Sequence, residues 1–274
     1  MPAPPKDAIS LLAKVTRVDA CGDDAVLLEV ESGTFAEELA AGRFFMLRRA
    51  DGVGPLIPRP FSLYKKRGSR LEFLIKTIGP GTRALAAAEV GSEIQTIGPL
   101  GNGWPKPEEG SHRVMLAGGI GSAPFYVAIE QCLAAGIAPS AMTLIYGAAT
   151  QGMLYDIAAF EALGVRVLPT TDDGTSGFHG HVIGALEVEW EAGRIPRDCQ
   201  LFACGPEPML HAAERLAQSK DLPAWLSLES YMGCGVGICN GCVVSTRPDG
   251  PLAAWPNAKC CVEGPVFESR AVAL

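Results

Sequence analysis

Nowhere in the 274 residues is there an uninterrupted apolar run of 18 or more, so no segment is expected to cross a bilayer as a helix. The opening MPAPPKDAIS has neither the basic nor the apolar region of a secretory leader, and a cytoplasmic protein with no membrane partner is the expectation. Charge is sparse: 19% of residues, a net of -7 and a pI near 5.2, with Lys and Arg scattered in ones and twos. The basic stripe that nucleic acid needs is missing, which excludes nucleic acid as a partner class. Histidine is scarce as well. His112, His179, His181 and His211 are the only four, none stands with a convincing nucleophile or ligand group, and all are read as surface or structural. No catalytic acid–base residue is therefore assigned.

Hydrophobic residues make up 48% of the chain, far too many for a disordered protein. A mean hydropathy of +0.19 without a span leaves room for a buried subunit interface. The 32 glycines and 21 prolines point to tight turns and ligand-hugging loops. Nine cysteines are unevenly spread. Cys21, Cys132, Cys199 and Cys204 are dispersed and read as buried thiols. Cys234, Cys239, Cys242, Cys260 and Cys261 crowd the tail, and without an export signal such crowding reads as metal ligation before disulfides.

Three textures divide the chain at 1–105, 106–228 and 229–274. The first has short, partly alternating strands (Ala8–Val18, Ala25–Val30, Phe44–Arg48, Leu71–Lys76, Ser92–Ile97) broken by Gly, Pro and Asp turns, with one short helix over Thr82–Ala88. A small antiparallel β-barrel is predicted. In the second, strands at Arg113–Ala117, Met142–Tyr146, Val165–Pro169, Gln200–Cys204 and Ala224–Leu228 alternate with helices over Pro124–Ala135, Met153–Leu163, His181–Glu191 and Pro206–Ser219. That alternation predicts an α/β domain with an open parallel sheet. The third has no long hydrophobic run, so its core is marginal unless a metal group holds it together.

The sharpest pattern is Cys234-x4-Cys239-x2-Cys242, followed after 18 intervening residues by Cys261, the spacing of plant-type 2Fe-2S centres. Gly233, Gly235, Gly237 and Gly241 would let backbone N–H groups approach the sulfurs. A structural zinc site suits the pattern less well, because only Cys239 and Cys242 form a close pair, and a redox dithiol would not use so many thiols. Spacing does not choose between Cys260 and Cys261.

Gly118, Gly119 and Gly121 lie between a predicted strand and helix, where a pyrophosphate meets free N–H groups and a favourable dipole. The run is not the full G-x-G-x-x-G fingerprint, and a plain tight turn would look the same. Cys204, Gly205 and Pro206 form a second strand-to-helix junction of the same sheet, and a ligand crossing the strands' carboxyl ends would lie between the two. That would bring Cys204 to a nicotinamide. The segment after Tyr146 lacks an arginine for a 2′-phosphate, which favours NAD over NADP. In the first domain, Arg59, Pro60, Phe61 and Ser62 offer a cation, a hydroxyl and flat apolar surface, as a flavin requires. Lys76, Thr77, Gly81 and Thr82 offer a second phosphate-facing patch.

Together these motifs resemble the electron-transfer subunits of two-component, NAD-dependent dihydroorotate dehydrogenases, within the ferredoxin-NADP reductase superfamily. Arg59–Ser62 and Gly79–Thr82 match that family's flavin segments, Gly98–Gly103 the turn closing its flavin domain, and Ala117–Pro124 and Cys204–Met209 its nicotinamide loops. Glu229–Cys242 resembles its cluster loop. Cys261, ahead of Gly264-Pro265-Val266-Phe267, stands where the family has its fourth ligand, so the resemblance selects Cys261 over Cys260. The likeness runs over about residues 8–268. It implies a ferredoxin reductase-like fold, FAD and a 2Fe-2S cluster as cofactors, NAD as substrate, and an FMN-containing catalytic partner in a heterotetramer of two of each. Related flavin subunits of sulfhydrogenases or of NADH-dependent ferredoxin:NADP oxidoreductases are the alternative.

Overall fold

The computed structural model describes residues 8–33, 39–108 and 110–274. Strands β1 (Ile9–Cys21), β2 (Ala25–Glu31), β3 (Phe44–Arg49), β4 (Arg59–Ser62), β5 (Lys65–Arg67), β6 (Arg70–Lys76) and β7 (Glu93–Leu100) form the first layer, with helix α1 (Pro80–Ala86). Their order is β4-β3-β7-β1-β2-β6-β5, and every pairing is antiparallel. The predicted barrel is thus a curled sheet. Its interior is an apolar set that includes Val15, Leu28, Phe45, Leu47, Phe73 and Ile75, each contributing roughly 1.5–3 kcal/mol by leaving water. Alternation explains which residues point inward: on β1, Ala13 and Val15 are buried while Leu12 and Lys14 are not.

The second layer contains β8 (Arg113–Gly118), α2 (Ala123–Ala134), β9 (Met142–Ala148), α3 (Ile157–Glu161), β10 (Arg166–Thr171), β11 (Phe178–His179), α4 (Val182–Glu191), β12 (Gln200–Cys204), α5 (Glu207–Lys220) and β13 (Ala224–Ser227). All six residues of β8 are buried, as a strand covered on both faces must be. Met115, Ala117, Phe202 and Cys204 pack with α2 on one face, whereas Val114, Leu116, Leu201 and Ala203 pack with α4 and α5 on the other. No helix among the described residues is long and apolar enough to cross a membrane.

Two departures from the sequence reading concern this layer. The sheet is mixed, because β16 (Val266–Glu268) from the cysteine-rich tail adds antiparallel to β13. The tail also holds a two-stranded ladder of β14 (Val243–Ser245) and β15 (Asn257–Lys259), and its Cys242, Ala258, Cys260, Cys261 and Phe267 belong to the core under α4 and α5. Second, the helix expected over Met153–Leu163 shrinks to α3. Asp156 adopts a left-handed conformation (φ 47°), which interrupts a helix. In exchange its carboxylate accepts hydrogen bonds from Tyr64 Oη (2.7 Å) and Lys65 Nζ (2.6 Å), joining the α/β layer to the curled sheet.

Candidate functional site

A cavity of about 260 Å³ lies between the curled sheet and the carboxyl ends of β8 and β12. Arg59, Pro60, Phe61, Ser62, Lys76 and Thr82 line it from the first layer. Gly121 and Cys204 line it from the second, and Glu229 and Met232 from the start of the tail. Segments more than a hundred residues apart in sequence thus share one wall. Parallel strands all end on the same side, so the loops that follow β8 and β12 must face the same crevice.

Of the expected site residues, Thr77, Gly81, Gly118, Gly119, Gly205 and Pro206 are not in that wall, and contacts around it show what they and their neighbours do. Thr77 donates its hydroxyl to the Asp24 carbonyl at 2.8 Å. Gly81 packs against Arg59: a Cβ there would sit 3.3 Å from the guanidinium Nε. Thr82 Oγ1 accepts from the Ile78 and Gly79 N–H groups, both at 3.0 Å, and so holds the entry to α1. Gly118, Gly121 and Gly205 are where two loops press backbone on backbone. A Cβ on Gly121 would lie 2.2 Å from the Cys204 carbonyl oxygen, one on Gly118 2.6 Å from Pro206 Cδ, and one on Gly205 2.9 Å from the Gly118 nitrogen. Gly119 has φ +53° with open space beside it, so only its backbone conformation calls for glycine. Ser122 is fully buried and hydrogen-bonds to the Tyr146 hydroxyl at 2.9 Å, pinning the loop to β9.

Glu229 is the wall residue that motif reading passed over. It opens the cysteine segment and lines the crevice, and desolvation raises its pKa above the usual carboxylate range. The Cys204 thiol is pushed up to about 12 by burial, with the nearby Glu229 charge adding to the shift. Both shifts favour the neutral form.

The tail cysteines meet as two pairs. Cys234 Sγ accepts from the Cys239 N–H at 3.4 Å, and Cys242 Sγ from the Cys261 N–H at 3.4 Å. Burial works against ionisation of Cys234, but donation from the backbone of Cys239 and Val236 outweighs it and brings the thiol down to about 7. Cys242 falls to about 6, chiefly through its hydrogen bond with Cys261, whose own thiol is correspondingly driven up. Cys260 stands apart: fully buried, raised to about 12 by desolvation, its Sγ turned to the Leu228 carbonyl at 3.5 Å. Among the described residues no three Cys, His, Asp or Glu side chains are already gathered at metal-binding distance.

The donor set nevertheless suits an iron–sulfur group. It consists of thiols of lowered pKa, backbone N–H groups aimed at sulfur, and glycines beside Cys239 Sγ, where Cβ atoms on Gly233 and Gly241 would approach to 3.4 and 3.5 Å. The loop is seated on the first layer: Gly235 (φ +70°) lies so close to Met46 that a Cβ would come within 2.6 Å of its Cγ. Asn102 holds the far end of the tail, donating to the Glu263 and Val266 carbonyls at 2.7 Å and accepting from the Val266 N–H at 3.0 Å. The cavity wall at Met232 is therefore two residues from Cys234.

A curled antiparallel sheet, a nucleotide-type α/β sheet and a cysteine loop around one crevice define a ferredoxin reductase-like electron-transfer protein. The likeness extends to a chain of the NADH-dependent reduced ferredoxin-NADP oxidoreductase, solved in a study of flavin-based electron bifurcation. The TM-score is 0.81 with 24% identity, over 96% of this chain and 90% of that one. Residues 229–273 match the iron-sulfur cluster binding domain of dihydroorotate dehydrogenase B, and residues 115–215 the oxidoreductase NAD-binding domain. The dihydroorotate dehydrogenase B (NAD(+)) electron transfer subunit of Desulforamulus reducens is 30% identical over 261 residues, 94% of this chain and 95% of its own length. That of Lysinibacillus sphaericus is 32% identical over 247 residues, 88% and 90% of the two chains. The chain belongs to the family of dihydroorotate dehydrogenase B electron-transfer subunits.

Proposed function

We propose that this chain takes electrons released when dihydroorotate is oxidised on an FMN-containing catalytic partner and delivers them, by way of a 2Fe-2S cluster and FAD, to NAD+. The partner complex is a heterotetramer of two catalytic and two electron-transfer subunits, working in the cytoplasm in pyrimidine biosynthesis. The observation that carries this reading is the convergence of the Arg59–Ser62 strand, the Gly121 and Cys204 loops and the root of the cysteine loop on one crevice.

Arg59, Ser62, Lys76 and Thr82 would hold the FAD, with Pro60 and Phe61 offering apolar surface in the same wall and Thr77 and Gly81 shaping the segments beside them. Arg59 supplies the charge that balances a pyrophosphate. Gly118, Gly119, Gly121, Gly205 and Pro206 keep two loops low enough for NAD to cross the strand ends. Cys204, whose thiol stays protonated at physiological pH, and Glu229, whose carboxyl desolvation shifts toward the neutral form, line the crevice between them. Cys234, Cys239, Cys242 and Cys261 ligate the cluster through thiolates, two of which ionise at about 7 and 6 before any metal arrives. When bound, the flavin and the cluster supply the exchange between single-electron and hydride chemistry.

The test is anaerobic, dihydroorotate-dependent reduction of NAD+ by the complex co-purified from its host, with flavins and iron quantified. Turnover with equimolar FMN and FAD, and iron in the amount of a two-iron cluster per FAD, is the expected result. A complex with FAD and iron but no dihydroorotate turnover would assign the chain to another oxidoreductase. Arg59→Ala should weaken FAD retention by about tenfold or more, the size of a lost charge-assisted hydrogen bond. Unchanged flavin affinity would remove that role.

A further inference from the structure

A second, larger cavity of about 550 Å³ lies at the opposite end of the parallel sheet, between the connector after β7, the 40–41 segment and α2. Trp104, Phe125 and Phe202 supply its aromatic wall. Trp104 stacks on Phe125 with ring centres 5.2 Å apart and planes 13° from parallel, and Phe202 meets Trp104 edge-on at 5.8 Å. Arg113, the first residue of β8, is set into the same wall at 5% exposure, with Lys106 at the rim.

Arg113 is short of partners. Its Nε is buried without a hydrogen bond, its Nη2 reaches the Lys106 carbonyl only at 3.5 Å, and the guanidinium carbon stands 5.1 Å from the centre of the Phe202 ring. No carboxylate among the described residues forms an ion pair with it or lines the cavity. The polar groups of Gln131, also in the wall, are taken up: Nε2 donates to the Leu39 carbonyl at 2.6 Å, and Oε1 accepts from the Ala41 N–H at 3.1 Å. A guanidinium removed from water without a counter-charge is strongly unfavourable. Among the described residues the wall thus contains a buried cation and aromatic surfaces but no acid.

We propose that this cavity is a binding site for a small aromatic carboxylate, distinct from the flavin and nicotinamide crevice. The carboxylate completes the hydrogen bonding of Arg113, whose planar fork suits a two-oxygen anion. The flat ring lies among Trp104, Phe125 and Phe202. A volume of about 550 Å³ is in the range of small-molecule sites and takes one or two fused rings. The two sites cannot overlap, because Arg113 begins β8 whereas Gly118, beside the crevice, ends it. Trp104 also ties the site to the first layer, since its N–H donates to the Ala41 carbonyl at 2.8 Å.

The experiment is calorimetric titration of the full-length, flavin-loaded protein with indole-3-acetate and its neutral isostere indole-3-acetamide. The acid is expected to bind saturably at submillimolar concentration and the amide at least tenfold more weakly, with saturating NAD+ leaving the acid's affinity unchanged. Arg113→Gln should weaken the acid tenfold or more and the amide hardly at all. Because a buried arginine can be needed for folding, Ala134→Trp at the exposed rim provides an independent block and should abolish binding of the acid while retaining FAD. Equal affinity for acid and amide, displacement by NAD+, binding that survives Ala134→Trp, or no saturable heat would each overturn the site.

Discussion

Cys234 and Cys242, two of the proposed cluster ligands, differ sharply from the cysteines buried elsewhere in this protein, and the contrast shows what favours a thiolate. Cys199, Cys204 and Cys260 are buried among apolar neighbours, and desolvation lifts them to about 11, 12 and 12. Cys234 and Cys242 meet backbone or thiol donors instead and fall to about 7 and 6. Burial alone does not separate the groups, since Cys242 is only 3% exposed. The direction of the nearest hydrogen bonds does: backbone N–H groups point at the sulfurs of Cys234 and Cys242, whereas Cys260 turns its Sγ toward the carbonyl of Leu228. A donor stabilises a thiolate and an acceptor stabilises a thiol.

The largest effect that bears on this contrast is expected for Cys239→Ser, which should abolish the visible iron–sulfur absorption and electron delivery to NAD+ while keeping FAD. Normal iron content in that variant would break the division. Gly121→Ala should come next. Its new methyl group would collide with the Cys204 carbonyl, and overpacking of this kind costs about 2–3 kcal/mol, or about 4–12 °C in Tm for a chain of this size. An unchanged melting curve would show that the two loops are free to part. Cys260→Ala removes a buried sulfur and one weak hydrogen bond, so a loss of about 1–2 kcal/mol with full iron content is expected. Iron falling in step with Cys260 would move it into the ligand set. The smallest effect concerns kinetics. In the metal-free protein, alkylation of Cys234 should rise as pH passes through about 7 and level off above it, because its depressed pKa leaves the thiolate dominant on the alkaline side. Cys204, protonated up to about 12, should stay unmodified at pH 8 as judged by peptide mass spectrometry.

Much of the architecture was legible because it is written in local patterns. Alternation exposed the strands of the first layer, fully apolar runs the central strands of the second, and the spacing of Cys234, Cys239 and Cys242 the cluster loop. Glu229, Asn102, Asp156 and Arg113 were not legible, since each acts through a partner remote in sequence. Nothing around Asp156 announces a left-handed residue in a helical stretch, because the carboxylate is held there by Tyr64 and Lys65, some ninety residues earlier. Val266–Phe267 carried a family likeness, but only the free edge of β13 makes Val266–Glu268 a strand.

The sequence by itself determined the family, the antiparallel first sheet, the parallel body of the second and the clustering of the thiols, because backbone periodicity and short spacings are properties of contiguous residues. Tertiary structure alone decided that Arg59, Cys204 and Glu229 share one crevice, and that Arg113 is buried with no counter-charge among the described residues. Charge burial and cavity shape depend on which distant surfaces come together, and no local pattern encodes that.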